Sequence, residues 1–173
     1  MVQNVAIVGL DRAKAYEVAK MLANELDMFF FDALELFEFD NMPRTLPLII
    51  KEYGIDFYRK KEQGIISYAS GFSNCVINLE SGFSSIENNF ETIKENCLLV
   101  YLAEAPNIVK ERVDKQAFET DEERLFFIVD EDVLKRRAEA IQNNADVIVN
   151  ASNGSSLKIV SETIRMIRNY YQN

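Results

Sequence analysis

Chemistry in this sequence would start from a few charged residues that directly follow short apolar runs. Gly9-Leu10-Asp11 follows Val5-Ala6-Ile7-Val8, Asp32 follows Met28-Phe29-Phe30-Phe31, and Glu80-Ser81-Gly82 follows Cys75–Leu79. Asp11 stands just ahead of a helical pattern, where its side chain suits the free N–H groups of a helix start. Asp32 reads equally as a site residue and as a structural one. Arg59 precedes Glu62 by three positions, so the two can pair on one helix face, or the guanidinium can clamp an anion. On the residues alone a surface ion pair is the simpler account. The chain has no His. Ser-His-Asp and Cys-His nucleophile systems, His metal clusters and imidazole switches are therefore excluded.

The apolar runs themselves define the elements. Val5–Val8, Met28–Phe31, Cys75–Leu79, Leu98–Leu102 and Val147–Val149 read as buried strands, with Phe29–Phe31 in the core. Ala15, Val18, Ala19, Leu22, Ala23 and Leu26 recur at helical spacing, which predicts a helix over residues 12–26. Residues from Glu35 to Ser70 read as mostly helical, broken at Pro43 and Pro47 and near Gly54. A helix over Ser155–Tyr171 closes the chain. Strands apolar on both faces, separated by helices, predict an α/β fold with a parallel sheet covered on each side. In such a sheet ligands sit beyond the carboxyl ends of the strands, where Gly9, Asp32 and Glu80 fall. Gly9 reads either as the remnant of an anion-binding turn or as the plain glycine of a tight strand-to-helix connection.

Length and charge narrow the classes further. The 173 residues suit one domain over 1–173, with the charged, poorly periodic segment 116–130 as a candidate lid. Lys+Arg 19 against Asp+Glu 28 gives a net charge of −9, which repels phosphate backbones and argues against a nucleic-acid partner. No stretch approaches the ~20 apolar residues of a membrane span, so no membrane partner is expected. The start of the chain lacks the pattern of a secretory signal, and a cytoplasmic location is expected. Cys75 and Cys97 read as small buried hydrophobes. Arg136-Arg137 and the run Glu119–Glu123 read as solvated faces. Phe126-Phe127 read as an anchor of the 116–130 segment or as a docking spot for a protein partner.

The order strand, glycine, helix, then a strand ending in Asp resembles the shikimate kinase family of P-loop small-molecule kinases. The likeness runs over nearly the whole chain. Leu26–Glu38 is similar to the family's second strand and its acidic finish, and Glu52–Glu62 to its glycine–glutamate–phenylalanine–arginine–glutamate region. Leu98–Pro106 is similar to the fourth strand and the turn beyond it, and Ala145–Val149 to the alanine–aspartate start of the last strand. The resemblance implies a three-layer α/β sandwich whose five-stranded parallel sheet runs in the order 2-3-1-4-5. That order puts strand one between the strands opened by Cys75 and Cys97, roughly 10 Å apart, too far for a disulfide. It implies nucleotide binding at Gly9 and Lys14, a metal and catalytic role for Asp32, acceptor binding at Arg59 and Gly82, and a lid arginine at Arg124.

The same resemblance marks where the chain departs from its family. A working phosphate (Walker A) loop reads G-x-x-x-x-G-K-S/T: glycines converge N–H groups on phosphate, Lys neutralises it, and the hydroxyl ligates magnesium. Here the stretch is Gly9-Leu10-Asp11-Arg12-Ala13-Lys14-Ala15-Tyr16. Lys14 replaces the second glycine, Ala15 the Lys, and Tyr16 the hydroxyl residue. On the acceptor side Leu34 replaces the second acid of an Asp-x-Asp pair, Glu80 and Ser81 replace two glycines of a triplet, and the second acceptor arginine falls on Gln142. Glu80 adds negative charge where an anionic acceptor would lie, and Glu119, Asp121, Glu122 and Glu123 make the lid acidic. Hydrogen bonds to charged groups are worth about 1.5–3 kcal/mol each. Losing the Lys contact, the metal ligand and part of the cradle removes on the order of 4–9 kcal/mol, three to six decades of affinity.

Two function classes follow. In the first the chain is a shikimate-kinase-like protein that no longer catalyses and has a binding, regulatory or structural role. Its partner is then an unidentified small molecule or a protein, and no cofactor is expected. In the alternative it is an active kinase transferring the ATP γ-phosphate to shikimate or a related cyclic hydroxy acid. Lys14 then neutralises phosphate, Asp32 holds magnesium through water, and Arg59 and Arg124 clamp acceptor and phosphate.

Overall fold

Strand β1 (Asn4–Gly9) is buried along its whole length because both of its edges and both of its faces are covered. It pairs in parallel with β3 (Cys75–Leu79) on one side and β4 (Cys97–Ala103) on the other. Outside these lie β2 (Phe29–Asp32), against β3, and β5 (Val147–Asn150), against β4. The structure, a computed structural model, describes residues 4–118, 120–127 and 129–172. Its sheet is parallel throughout and runs β2-β3-β1-β4-β5, the order the family resemblance implies.

Period-two alternation along the central strands feeds two cores. Val5, Ile7, Val100 and Leu102 face α1 (Arg12–Leu26) and α9 (Ser156–Gln172), meeting Ala15, Val18, Leu22, Ile159 and Val160. Ala6, Val8, Ile77, Leu99 and Tyr101 face the opposite layer, built from α4 (Ile55–Ser70), α5 (Asn88–Lys94) and α8 (Glu131–Asn144). Ile66, Phe90, Ile93 and Ile141 fill that side. Each such side chain contributes about 1.5–3 kcal/mol on burial, which fixes the sheet between its two layers. Both cysteines are free and buried, and burial pushes their thiols up to about 11 for Cys75 and about 12 for Cys97.

The edges depart from the sequence reading. Phe29 is 67% exposed rather than core, because β2 is the outermost strand and its first residue projects past the covering helices. In β5, Val147 and Val149 are buried while Ile148 and Asn150 are exposed, so this strand is not apolar on both faces. The strand β2 also extends through Asp32 instead of stopping before it.

The region from residue 33 to residue 70 forms α2 (Ala33–Asp40), α3 (Leu46–Tyr53) and α4, with breaks at Pro43 and Gly54. Pro47 breaks nothing. It lies in the first turn of α3, where a missing N–H costs no intrahelical bond. Leu34, Phe37, Leu46, Ile49 and Tyr58 of these helices join Phe126 of α7 (Asp121–Phe127) in a satellite core. A last helix, α6 (Pro106–Val113), follows β4. Among the described residues no helix is long and apolar enough to cross a membrane.

Candidate functional site

The carboxyl ends of the strands carry four buried carboxylates: Asp11, Asp32, Glu80 and Glu104. Each is already matched to cations of the same chain. Asp11 caps α1 by accepting from the Lys14 amide (3.2 Å), and its other oxygen pairs with Arg112 of α6 (2.9 Å). Arg112 also donates to Glu104, just past β4 (2.7 Å). The Lys14 ammonium donates to that same Glu104 oxygen (2.6 Å) and to the carbonyl of Ala151 (3.0 Å). A continuous chain Asp11–Arg112–Glu104–Lys14 thus ties the ends of β1, β4 and β5 together. The N-terminus of α1, which would otherwise attract an anion, holds the Asp11 carboxylate. Gly9 has a packing reason to be glycine, since a Cβ there would stand 3.3 Å from that of Ala15 in α1.

Asp32 is equally engaged. Its Oδ1 accepts from Arg12 (2.9 Å) and from the Glu35 amide (2.9 Å), capping α2, and its Oδ2 accepts from the Asn78 side chain (2.6 Å). Tyr16 donates its hydroxyl to Glu35 (2.9 Å), which raises the phenol pKa, and sets its ring edge-on to Phe30. Oδ1 thus accepts two internal donors and Oδ2 one, and the Tyr16 phenol, bonded to Glu35, stands where the resemblance places a ligating hydroxyl. Among the described residues no three acidic or Cys side chains cluster as metal ligands.

The region that the resemblance assigns to an acceptor centres on Arg59, whose side chain is 11% exposed rather than part of a surface pair. It meets Glu62 (2.9 Å) and Glu80 (2.8 Å) together, and its guanidinium lies over the rings of Tyr58 (5.1 Å) and Phe126 (5.3 Å). Spacing showed the Glu62 contact but not the second carboxylate, 21 residues away across the turn after β3. Glu80 also accepts from the Gly82 amide (2.9 Å) and approaches Arg137 of α8 (3.4 Å). Arg137 is therefore no solvated residue, although its neighbour Arg136 is exposed. Gln142, the position matched to a second acceptor arginine, points to solvent. The arginine that reaches the site comes from a turn and a half earlier in α8. Burial pushes the Glu80 carboxyl up, but Arg59 and Arg137 outweigh it and hold it down at about 2. Glu62 lies against the same arginine, yet burial, reinforced by Glu80, raises it to about 7.

The cavity left between the Asp11 turn and the Glu80 turn is only about 40 Å³, lined among others by Arg12, Ser81, Phe127 and Arg137. Pockets for drug-sized ligands are typically ~300–1,000 Å³. Of the candidate lid, Phe126 is 4% exposed and packs edge-on against Tyr58 (5.1 Å), so it anchors α7 to the body. Arg124 is exposed on α7, beside a shallow cleft shared with Asp114 and Thr120, and is not among the residues lining the strand-end cavity. Glu119 lies outside the described residues, as do the side chains of Glu122 and Glu123. Glu104 stands at a strand end, where position alone could have singled it out. Arg112 and Arg137 carry no such signal.

A parallel sheet in the order 2-3-1-4-5, with a glycine turn leading from the first strand into a helix, defines the P-loop kinase class of folds. Within it, the family model for shikimate kinase matches residues 17–168, starting directly after the Gly9–Tyr16 stretch. The chain belongs to the shikimate kinase family. A shikimate kinase of Dehalococcoides mccartyi is 23% identical over 171 residues, covering 96% of this chain and 94% of that protein. One from Marinomonas sp. is 30% identical over 101 residues, 57% of this chain and 55% of that protein. In fold, the chain is similar to shikimate kinase from Acinetobacter baumannii in complex with shikimate. The TM-score is 0.83 at 18% identity, with 100% of this chain and 97% of that one covered.

Proposed function

We propose that this chain is a non-catalytic member of its family, serving a binding, regulatory or structural role rather than phosphoryl transfer. The observation that carries this reading is the engagement of Lys14. Its ammonium is committed to Glu104 and the Ala151 carbonyl, and Arg112 shares the same carboxylate. A nucleotide would have to draw Lys14 away and leave Glu104 with Arg112 alone. Binding would start from a deficit, below the ~3–5 kcal/mol of breaking a fully buried pair because the Lys14 side chain is partly exposed. Asp11 at the helix start, Asp32 held by Arg12 and Asn78, and a cavity of about 40 Å³ support the same conclusion. The two buried thiols suit a reducing cytoplasm.

A thermal-shift panel tests the reading, because any ligand that favours the folded state raises the melting point. ATP, ADP and GTP, each with and without magnesium, are expected to leave it unchanged. A magnesium-dependent rise with ATP overturns the proposal and restores the alternative of an active kinase for shikimate or a related cyclic hydroxy acid. A rise with a cyclic carboxylate alone keeps the protein non-catalytic and names its ligand class.

A further inference from the structure

A second cleft lies between α2 and α4, beside the edge strand β2. Its volume is about 560 Å³, the size of a small-ligand site. It shares none of its described lining residues with the strand-end cavity. Three rings form its wall: Phe31 lies against Phe72 (4.5 Å between centroids), and Tyr68 meets Phe72 edge-on (4.8 Å). Phe39 is 75% exposed and Tyr68 62% exposed, so this aromatic surface is open to solvent. Exposed apolar surface gathered in one concavity marks a binding site, as scattered single residues do not. Lys61, Gly64, Ile65 and Tyr68 follow helical spacing, so α4 turns one face to the cleft. Gly64 is the telling member. Glycine weakens a helix interior relative to alanine, yet a Cβ there would meet nothing within 4 Å, and no positive φ requires glycine. Neither packing nor backbone conformation explains it; what the missing side chain leaves is room in the cleft. One anion and one cation also line the cleft, both exposed. Asp40 ends α2, whose last turn holds no basic residue, and an acid there opposes the carbonyl end of the helix dipole. Lys61 sets its ammonium over the Phe57 ring (5.7 Å). Among the described residues neither charge is in an ion pair, with the other or with a third group.

We propose that this cleft binds a small aromatic zwitterion, a free aromatic α-amino acid. Its ring lies over Gly64 against the wall of Phe31, Phe72 and Tyr68, where aromatic rings attract one another offset or edge-on. Its carboxylate meets Lys61, and its ammonium meets Asp40 and the carbonyl end of α2. Two unpaired charges of opposite sign select a ligand that carries both. A second copy of the chain matches less well, because its net charge of −9 repels its like. The site goes beyond the non-catalytic reading and does not depend on it, since the cleft is separate from the strand ends.

A melting panel on the full chain tests the site, with L-phenylalanine, L-tyrosine and L-tryptophan titrated through the millimolar range. At about ten times its Kd, at least one of them should raise the wild-type melting point by roughly 3–6 °C, saturably. Phenethylamine lacks the carboxylate, 3-phenylpropanoate the ammonium and L-leucine the ring, so each should give a smaller rise at the same concentration. Lys61→Gln and Asp40→Asn should melt like the wild type without ligand and bind the amino acid several-fold more weakly. Gly64→Leu, which fills the cleft, should fold and lose the shift. No rise with any of the three amino acids overturns the proposal. So does an equal rise with one of the truncated probes, or an equal rise in Gly64→Leu. A wild-type dimer in sedimentation that Gly64→Leu returns to monomer would seat a second copy in the cleft and overturn it as well. Should Gly64→Leu not fold, the two charge variants decide: weaker binding in both supports the site, and unchanged binding contradicts it.

Discussion

Glu104 is the residue on which the ion-pair network at the ends of β1 and β4 turns, because it holds Lys14 and Arg112 at once. Glu104→Gln is expected to destabilise the protein by about 2–3 kcal/mol, below the ~3–5 of a fully buried pair because both cations can reach water. Urea unfolding without any nucleotide reads this loss; if Lys14 served only a phosphate, the variant would unfold like the wild type. Glu62 gives a pH signature. Its folded pKa of about 7 lies above the ordinary 4.5, so the folded state keeps a proton that the unfolded chain releases between those values. Its contribution is complete below pH 4.5 and lost as pH rises to about 7. Glu80 works in the opposite sense, contributing above its ordinary range and losing that contribution as pH falls toward 2. Glu62→Gln should therefore flatten the fall in melting temperature between pH 5 and pH 7 relative to the wild type; parallel curves would refute the assignment. Of these pairings only Arg59 with Glu62, three residues apart on one helix, was legible in the sequence. Lys14 and Glu104 are 90 residues apart and Glu80 and Arg137 are 57 apart, so helix spacing rules do not reach them.

Elements were far more legible than contacts, for a physical reason. A central parallel strand is largely apolar on both faces, and Val5–Val8 and Leu98–Leu102 announce themselves as unbroken runs, with Cys75–Leu79 interrupted only by Asn78. The edge strands follow another rule, since fewer neighbours cover them, and Phe29 and Ile148 were accordingly misread as buried. Pro47 was misread because proline disrupts a helix interior but suits its first turn. Helix α7 packs on the body chiefly through Phe126, with Phe127 partly buried beside it. Phe126 joins it to Tyr58 and Arg59, while Arg124 on the same helix is exposed. Phe126→Ala should cost about 3 kcal/mol locally and release α7 from the body. Limited proteolysis should then cut near α7 several-fold faster while the central sheet stays protected. Unchanged cleavage would mean that other contacts hold the helix.

At the scale of the whole molecule, an acidic chain of net charge −9 places four buried carboxylates at the strand ends and surrounds them with its own arginines and lysine. The family fold supplies the position of the cleft, and the proposed non-catalytic reading rests on the ion pairs that the side chains in it make with one another. The sequence told where to look, at the carboxyl ends of β1, β2 and β3, and the loss of the phosphate-loop residues told that something had changed. Only three dimensions showed the long-range partners, Arg112 on Asp11 and Glu104 on Lys14 among them, because each comes from a distant element. Calorimetric titration of the wild type with magnesium-ATP at millimolar concentration tests the central claim most directly. No binding heat is expected beyond dilution. A saturable, magnesium-dependent heat, lost in Lys14→Ala, would contradict it, because the ammonium would then serve a phosphate instead of Glu104.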